Sequence, residues 1–290
     1  KVLIENRPDL LLIQGDTTTV FGAALAAFYQ SVKIGHVEAG LRSGNIYSPY
    51  PEEANRKLTS TLCEYHFAPT ENSRDNLLKE NYPGEKIFVT GNTVIDALHY
   101  VISDNFIFEN QLLNNLDYKN KKILLLTCHS RENIGRPMKN IFKATGDIVS
   151  KYQNVELVFP MHPNPKVREI ANTIFKEEPR IHLIEPLAYE PFVNLLAKTH
   201  IVITDSGGLQ EEAPALGKPV LVVREETERP EGIKAGTAKL VGTEYRPLYD
   251  NLQLLLNSEN EYRRMATMVN PYGDGKASKR IVDIICKIRT

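Results

Sequence analysis

Residues 35 to 56 read GHVEAGLRSGNIYSPYPEEANR and carry carboxylates in unusual company. Glu38 closes the apolar run KIGHV, where a strand should end, and an ionised carboxylate there must find a partner or take an elevated pKa. Glu52 and Glu53 follow Pro49 and Pro51, and at least one of them reads as a first-turn acid favourable to a helix dipole. Arg56, four residues after Glu52, is placed to be its surface partner. Asp16, ahead of Thr17, Thr18 and Thr19, reads by itself as an ordinary helix N-cap, and His36 as a satisfied structural histidine. Carboxylates gathered at strand ends are also the groups that general acid–base chemistry needs.

A second set lies further along. Asp205-Ser206-Gly207-Gly208 follows the run THIVIT, and two glycines at a strand-to-helix turn let backbone amides approach a phosphate oxygen. Glu212 falls about one turn into the helix beyond, where a carboxylate either steadies the helix dipole or accepts two vicinal ribose hydroxyls. His129-Ser130-Arg131-Glu132-Asn133 follows KILLLTC, and Arg229 sits beside Glu228 and Glu231 as an ion pair or a binding residue. Two motifs are excluded. The segment 270–277, NPYGDGKA, lacks the first glycine and the hydroxyl residue of a P-loop, and no GxGxxG follows a strand, so a nicotinamide cofactor is unsupported.

The elements that must position these residues alternate. LLLIQ, VKIGHV, YHFAPT, KIFVTG, KKILLLTC, VELVFP, IHLIEP, THIVITD and KPVLVVR read as strands. FGAALAAFYQS, SRDNLLKENY, MKNIFKATGDIVSKYQ, NPKVREIANTIFKE, PFVNLLAKT and LQEEAPALG read as helices between them, and KASKRIVDIICKIRT as a closing amphipathic helix. Such alternation predicts doubly wound α/β domains with parallel sheets, whose ligands sit beyond the carboxyl ends of the strands. A polar stretch from about Asp96 to Lys122 reads as the linker between two series of units.

Bulk properties narrow the classes. A chain of 290 residues suits two domains, and 35 basic against 36 acidic residues give no electrostatic footprint for nucleic acid or a membrane surface. Cys63, Cys128 and Cys286 lack metal-type spacing and fit reduced thiols. No apolar stretch approaches the ~20 residues of a membrane span. The expectation is a cytoplasmic protein with no metal site.

Together, GDTTT, GHVEAGLRSGNIYSPYPEEANR, HFAPTENSRDNLL, TGNTVIDAL, the block at 129–133, FPMHPNPKVRE, TDSGGLQEEAPALGKPVLVVR, TERPE and NPYGDGKAS resemble the non-hydrolysing UDP-N-acetylglucosamine 2-epimerases of bacterial type, in the family's order and over essentially the whole chain. The resemblance implies two Rossmann-like parallel-sheet domains facing across a cleft, the GT-B architecture. The first would span 1–97 and be joined by a last helix at about 275–290, and the second, UDP-binding domain would span 98–274. It implies interconversion of UDP-GlcNAc and UDP-ManNAc by expulsion of UDP to a 2-acetamidoglucal and re-addition, with no cofactor and commonly as a homodimer, feeding a cell-surface polysaccharide. By the same resemblance Asp16, Glu38 and Glu52 surround sugar C1 and C2, and His129 lies near diphosphate and sugar. Phe192 lines the uracil pocket, and Ser206, Gly207, Gly208, Glu212 and Arg229 contact UDP.

Departures from the family pattern shape the remaining expectations. The family's opening strand and GTRPE-like loop do not appear ahead of GDTTT, so the first domain is expected to lack strands, part of a phosphate clamp and a covered sheet edge. Ser130 stands where an arginine is usual, which touches a regulatory second UDP-GlcNAc site to which His162 corresponds, and Leu187 replaces a common glutamine beside the uracil. Other classes share the nucleotide cradle: a GT-B glycosyltransferase, which has no need of three acids in the first domain, an inactive sugar-nucleotide-binding fragment, and a hydrolysing epimerase.

Overall fold

The computed structural model describes residues 1–176 and 178–288. The chain divides into two compact units, residues 1–99 with 271–290 and residues 100–270. The first carries strands β1 (Leu10–Gln14), β2 (Lys33–Val37), β3 (Tyr65–Ala68) and β4 (Ile87–Val89), all parallel and in that order across the sheet. The second carries β5 (Lys122–Thr127), β6 (Val155–Pro160), β7 (Ile181–Ile184), β8 (Ile201–Thr204), β9 (Val220–Val222) and β10 (Ala238–Leu240). Its strands are also parallel, in the order β10-β9-β8-β5-β6-β7. Each unit is thus the parallel α/β layer that the alternation of strand and helix predicts. β10, only three residues with a lysine at its centre, carries too weak an apolar signal to be read from sequence.

The near-continuous apolar runs have a simple cause. A parallel sheet covered by helices on both faces buries both sides of each central strand, and every residue of β8 and β9 is buried, as are Ile123 to Leu126 of β5. Ile141, Phe142 and Ile148 of the helix Arg136–Lys151 pack on this sheet with Phe159, together with Leu252 of the helix Tyr245–Asn257. That second helix and the one after it, Glu259–Ala266, go beyond the sequence reading, although Leu248, Leu252, Leu255 and Leu256 repeat at helical spacing.

The first unit has smaller cores. Ile13 and Ile34 pack with Ala24 and Ala27 of the helix Thr18–Tyr29, while Val37 and Phe67 receive Ile281 of the helix Ala277–Ile288. β1 forms one margin of the sheet, with Leu12 46 % exposed. The expected linker is in fact partly helical, with Thr93–Val101 and Gln111–Asn115 both helices. Asp96 caps the last helix, accepting the N–H of Ala277 at 3.0 Å and of Ser278 at 2.8 Å, and satisfying donors that a helix start leaves orphaned. The helix expected at 164–177 spans Pro165–Ile174, with residue 177 outside the described residues, as are residues 289 and 290 at the end of the expected closing helix. Among the described residues, no helix is long and apolar enough to cross a membrane.

Candidate active site

In the first unit, register brings two expected acids together. Gln14, the last residue of β1, pairs with Val37, the last of β2, so the chain leaves both strands side by side as Gly15-Asp16 and as Glu38. Gly15 N donates to Val37 O at 3.2 Å, and His36 Nε2 donates to Gly15 O at 2.8 Å. A Cβ on Gly15 would stand 3.7 Å from Glu38 Oε2. Glu38 itself holds φ at 67°, a left-handed conformation costing a non-glycine residue roughly 1–2 kcal/mol, the kind of local strain that clusters at functional sites. The turn closes at Gly40, whose φ is 90° and where a Cβ would meet Ser73 O at 2.2 Å, so no other residue fits.

Asp16 is not the helix cap. Thr17 takes that place, its hydroxyl accepting Val20 N at 3.4 Å. Asp16 Oδ2 instead receives Nε and Nη2 of Arg56 at 2.9 and 2.8 Å. Arg56 is therefore no surface partner of Glu52. It is buried and reaches Glu53 Oε2 with Nη1 at 3.2 Å. Both glutamates do occupy the first turn of the helix Glu52–Leu62, but Glu53 turns inward while Glu52 stays half exposed. His36 is only partly satisfied, since its Nδ1 and that of its cross-strand neighbour His66 have no hydrogen-bond partner among the described residues. Burial pushes His36 down to about 4 and His66 down to about 3, so both rings are neutral.

In the second unit, the strand order reverses between β8 and β5, the switch point at which open α/β sheets bind ligands. A cavity of about 340 Å³ opens there. Its polar lining comes from His129 after β5, His162 after β6, and Ser206, Gly208 and Glu212 after β8, while Leu187, Tyr189 and Phe192 supply an apolar wall. His129 and His162 stack with ring centres 5.6 Å apart. Thr127 and Thr204, opposite each other in the ladder, join hydroxyls at 2.6 Å, and the next residues out include Asp205 and His129. Buried Asp205 accepts the N–H of His129 at 2.9 Å, that of Ser130 at 2.8 Å and Asn133 Nδ2 at 3.0 Å, all on Oδ2.

Glu212 lies one turn into the helix Leu209–Ala215, its N–H bonded to Gly208 O at 3.0 Å. Its carboxylate is buried in the cavity wall, and burial, followed by the charge of Glu211, pushes it up to about 7. A larger trough of about 920 Å³ in the first unit is lined by the starting residues Leu10, Lys33 and Tyr65, at the end of the sheet away from Asp16 and Glu38.

Of the residues expected around UDP, Phe192, Ser206, Gly208 and Glu212 line the cavity with His129, whereas Gly207 and Arg229 do not. Arg229 is buried behind the loop, its Nε on Glu211 Oε1 at 2.7 Å and its Nη1 on Glu228 Oε1 at 2.6 Å. Glu228 also takes Arg224 at 2.9 Å, so the buried carboxylates are paired, as burial of charge requires. The absent Cβ of Gly207 leaves room for this cluster: an added carbon would lie 2.7 Å from Arg229 Nη1. His162, to which the family resemblance gives a regulatory role, lines this same cavity. Asp205 and Glu53, named in the sequence but given no role there, are tied to His129, Ser130 and Asn133 and to Ser43, Gly44 and Arg56 respectively, partners that carry no local signal.

The chain matches, over residues 1–286, the family model described as UDP-N-acetylglucosamine 2-epimerase. It is 53 % identical over 277 residues to the UDP-N-acetylglucosamine 2-epimerase of Bacillus subtilis, covering 96 % of this chain and 72 % of that protein. With the enzyme of the same name from Salmonella typhimurium, identity is 51 % over 294 residues, covering 99 % and 78 %. Among solved structures, the UDP-GlcNAc 2-epimerase of Neisseria meningitidis bound to UDP-GlcNAc superposes with a TM-score of 0.91 at 49 % identity, covering 99 % of this chain and 78 % of that one.

Proposed function

The chain belongs to the UDP-N-acetylglucosamine 2-epimerase family, and from that premise we propose that it is an isomerase interconverting UDP-N-acetylglucosamine and UDP-N-acetylmannosamine without hydrolysis. The observation that carries this reading is the cavity at the β5/β8 switch point, where buried Glu212 and His129, backed by Asp205, line the same space as the apolar Leu187, Tyr189 and Phe192.

The C2 hydrogen of an N-acetylhexosamine is not next to a carbonyl and is scarcely acidic. Inversion therefore proceeds by elimination. A base removes the C2 proton, the C2–H electron pair forms the C1–C2 double bond, and the C1–O bond breaks with its pair leaving on the β-phosphate oxygen of UDP. The 2-acetamidoglucal then takes a proton at C2 on its opposite face while the UDP oxygen re-forms its bond to C1. Asp16, Glu38 and Glu52 are the groups assigned to proton transfer and to stabilising positive charge at C1. Arg56 holds Oδ2 of Asp16 and so fixes that carboxylate.

UDP must stay bound for the return step. Glu212 accepts the ribose hydroxyls, Phe192 and Tyr189 flank the uracil, and Ser206 with Gly208 brings backbone amides to the phosphates. His129 faces the diphosphate, and Arg229, paired with Glu211 and Glu228, supports the Ser206–Gly208 loop from behind. The same reading extends to a cytoplasmic homodimer whose product enters cell-surface polysaccharide synthesis. A glycosyltransferase would use the cradle but leaves Asp16, Glu38 and Glu52 without a task.

Incubation with UDP-GlcNAc in deuterium oxide, followed by proton NMR, tests the proposal. UDP-ManNAc carrying deuterium at C2 is expected. Release of free N-acetylmannosamine would replace the proposal with a hydrolysing reaction, and no C2 exchange despite UDP binding would overturn it.

A further inference from the structure

We propose that Glu53 is a positioning residue that sets Asp16 through Arg56; the inference rests on the assignment of Asp16 to the elimination chemistry. Glu53 is 0 % exposed, which an ionised carboxylate tolerates only when its lone pairs are occupied. They are: Oε1 accepts Gly44 N at 3.2 Å, and Oε2 accepts Ser43 N at 3.1 Å and Arg56 Nη1 at 3.2 Å. Arg56, itself 4 % exposed, turns its remaining edge to Asp16, with Nε and Nη2 both on Oδ2.

A guanidinium held by Asp16 alone could pivot about that contact. Held also by Glu53, whose carboxylate is fastened to two backbone amides, its plane is fixed, and the Asp16 carboxylate is fixed with it. Asn55, on the same helical turn, adds a bond from Nδ2 to Asp16 O at 2.9 Å. Helix Glu52–Leu62 therefore grips the loop after β1 and the loop after β2 at once.

The test compares Glu53→Gln, Arg56→Lys, their double mutant and Asp16→Asn, with kcat, KM for UDP-GlcNAc, C2 deuterium exchange and far-UV circular dichroism for each. Glu53→Gln and Arg56→Lys are each expected to lower kcat and C2 exchange about tenfold or more, with KM within about twofold. The double mutant is expected within about twofold of Arg56→Lys, because both act through one fork. Multiplicative losses, or a Glu53→Gln kcat within twofold of wild type, overturn the inference. Should Glu53→Gln fail to fold, Arg56→Lys, which leaves the amide contacts of Glu53 in place, decides alone: wild-type kcat overturns the inference and a kcat-only loss upholds it. A fully active Asp16→Asn would instead remove the assignment of Asp16, a different failure.

Discussion

Asp205 holds His129 at two points: Oδ2 accepts the histidine's backbone N–H at 2.9 Å, and Oδ1 stands 3.3 Å from its Nδ1. Among the described residues Oδ1 has no hydrogen-bond partner, and a buried carboxylate oxygen without one is costly. The neighbouring protons are those of the imidazole and of Cys128, whose thiol burial, followed by the charge of Asp205, keeps well above its ordinary pKa. The imidazole stands with Nδ1 turned towards Asp205. Asp205→Asn is expected to lower kcat about tenfold or more while uridine affinity changes less than about twofold, measured by steady-state kinetics and calorimetry.

Glu212 titrates near neutrality, at about 7, because burial and Glu211 disfavour its charge. On the proposed reading ribose hydroxyls donate to the ionised form, so binding releases a proton and affinity rises with pH. Uridine, which has no phosphate to titrate, is expected to bind more tightly at pH 8 than at pH 6, with the change centred near 7. Glu212→Gln should weaken binding and flatten the profile. The same variant should raise Tm at pH 8, where the folded chain otherwise holds a disfavoured charge, and leave it unchanged at pH 4, below the unfolded pKa.

His36 and His66 give the first unit an acid limit. Their folded values of about 4 and about 3 lie below the ordinary 6.5, so the unfolded chain takes up protons first. Stability is full above pH 6.5 and declines as the pH falls towards 4, by up to about 1.4 kcal/mol per group for each pH unit. His66→Phe, whose ring keeps the contact with Tyr82, is expected to lessen the fall of Tm between pH 6.5 and 4. An unchanged slope would contradict this origin.

The glycines of the Ser206–Gly208 loop should respond in opposite ways. At Gly207 a methyl group meets Arg229 Nη1 and Glu228 Oε1, both at 2.7 Å, and neither can yield without breaking a buried pair. Gly207→Ala is expected to cost about 1–3 kcal/mol by chemical denaturation. Gly208 has helical φ of −59° and open space, so Gly208→Ala should change stability by no more than about 0.5 kcal/mol while weakening UDP binding at the cavity it lines.

Alternation of strands with helices, and polar clusters just beyond the strands' carboxyl ends, were legible in the sequence alone. Those properties are local: periodicity, β-branched runs and turn residues are set by neighbours within a few positions. Glu212 could likewise be placed one turn beyond Gly208, because helical spacing fixes it. The partners could not. Asp16 meets Arg56 across 40 positions and Asp205 meets His129 across 76, distances over which no spacing rule operates and only strand order and register decide. Tertiary structure likewise chose between adjacent glutamates, since one helical step of about 100° sends Glu53 inward to Arg56 and leaves Glu52 half exposed. It also set Arg229 against Glu211 and Glu228, partners 18 positions and one position away in the chain.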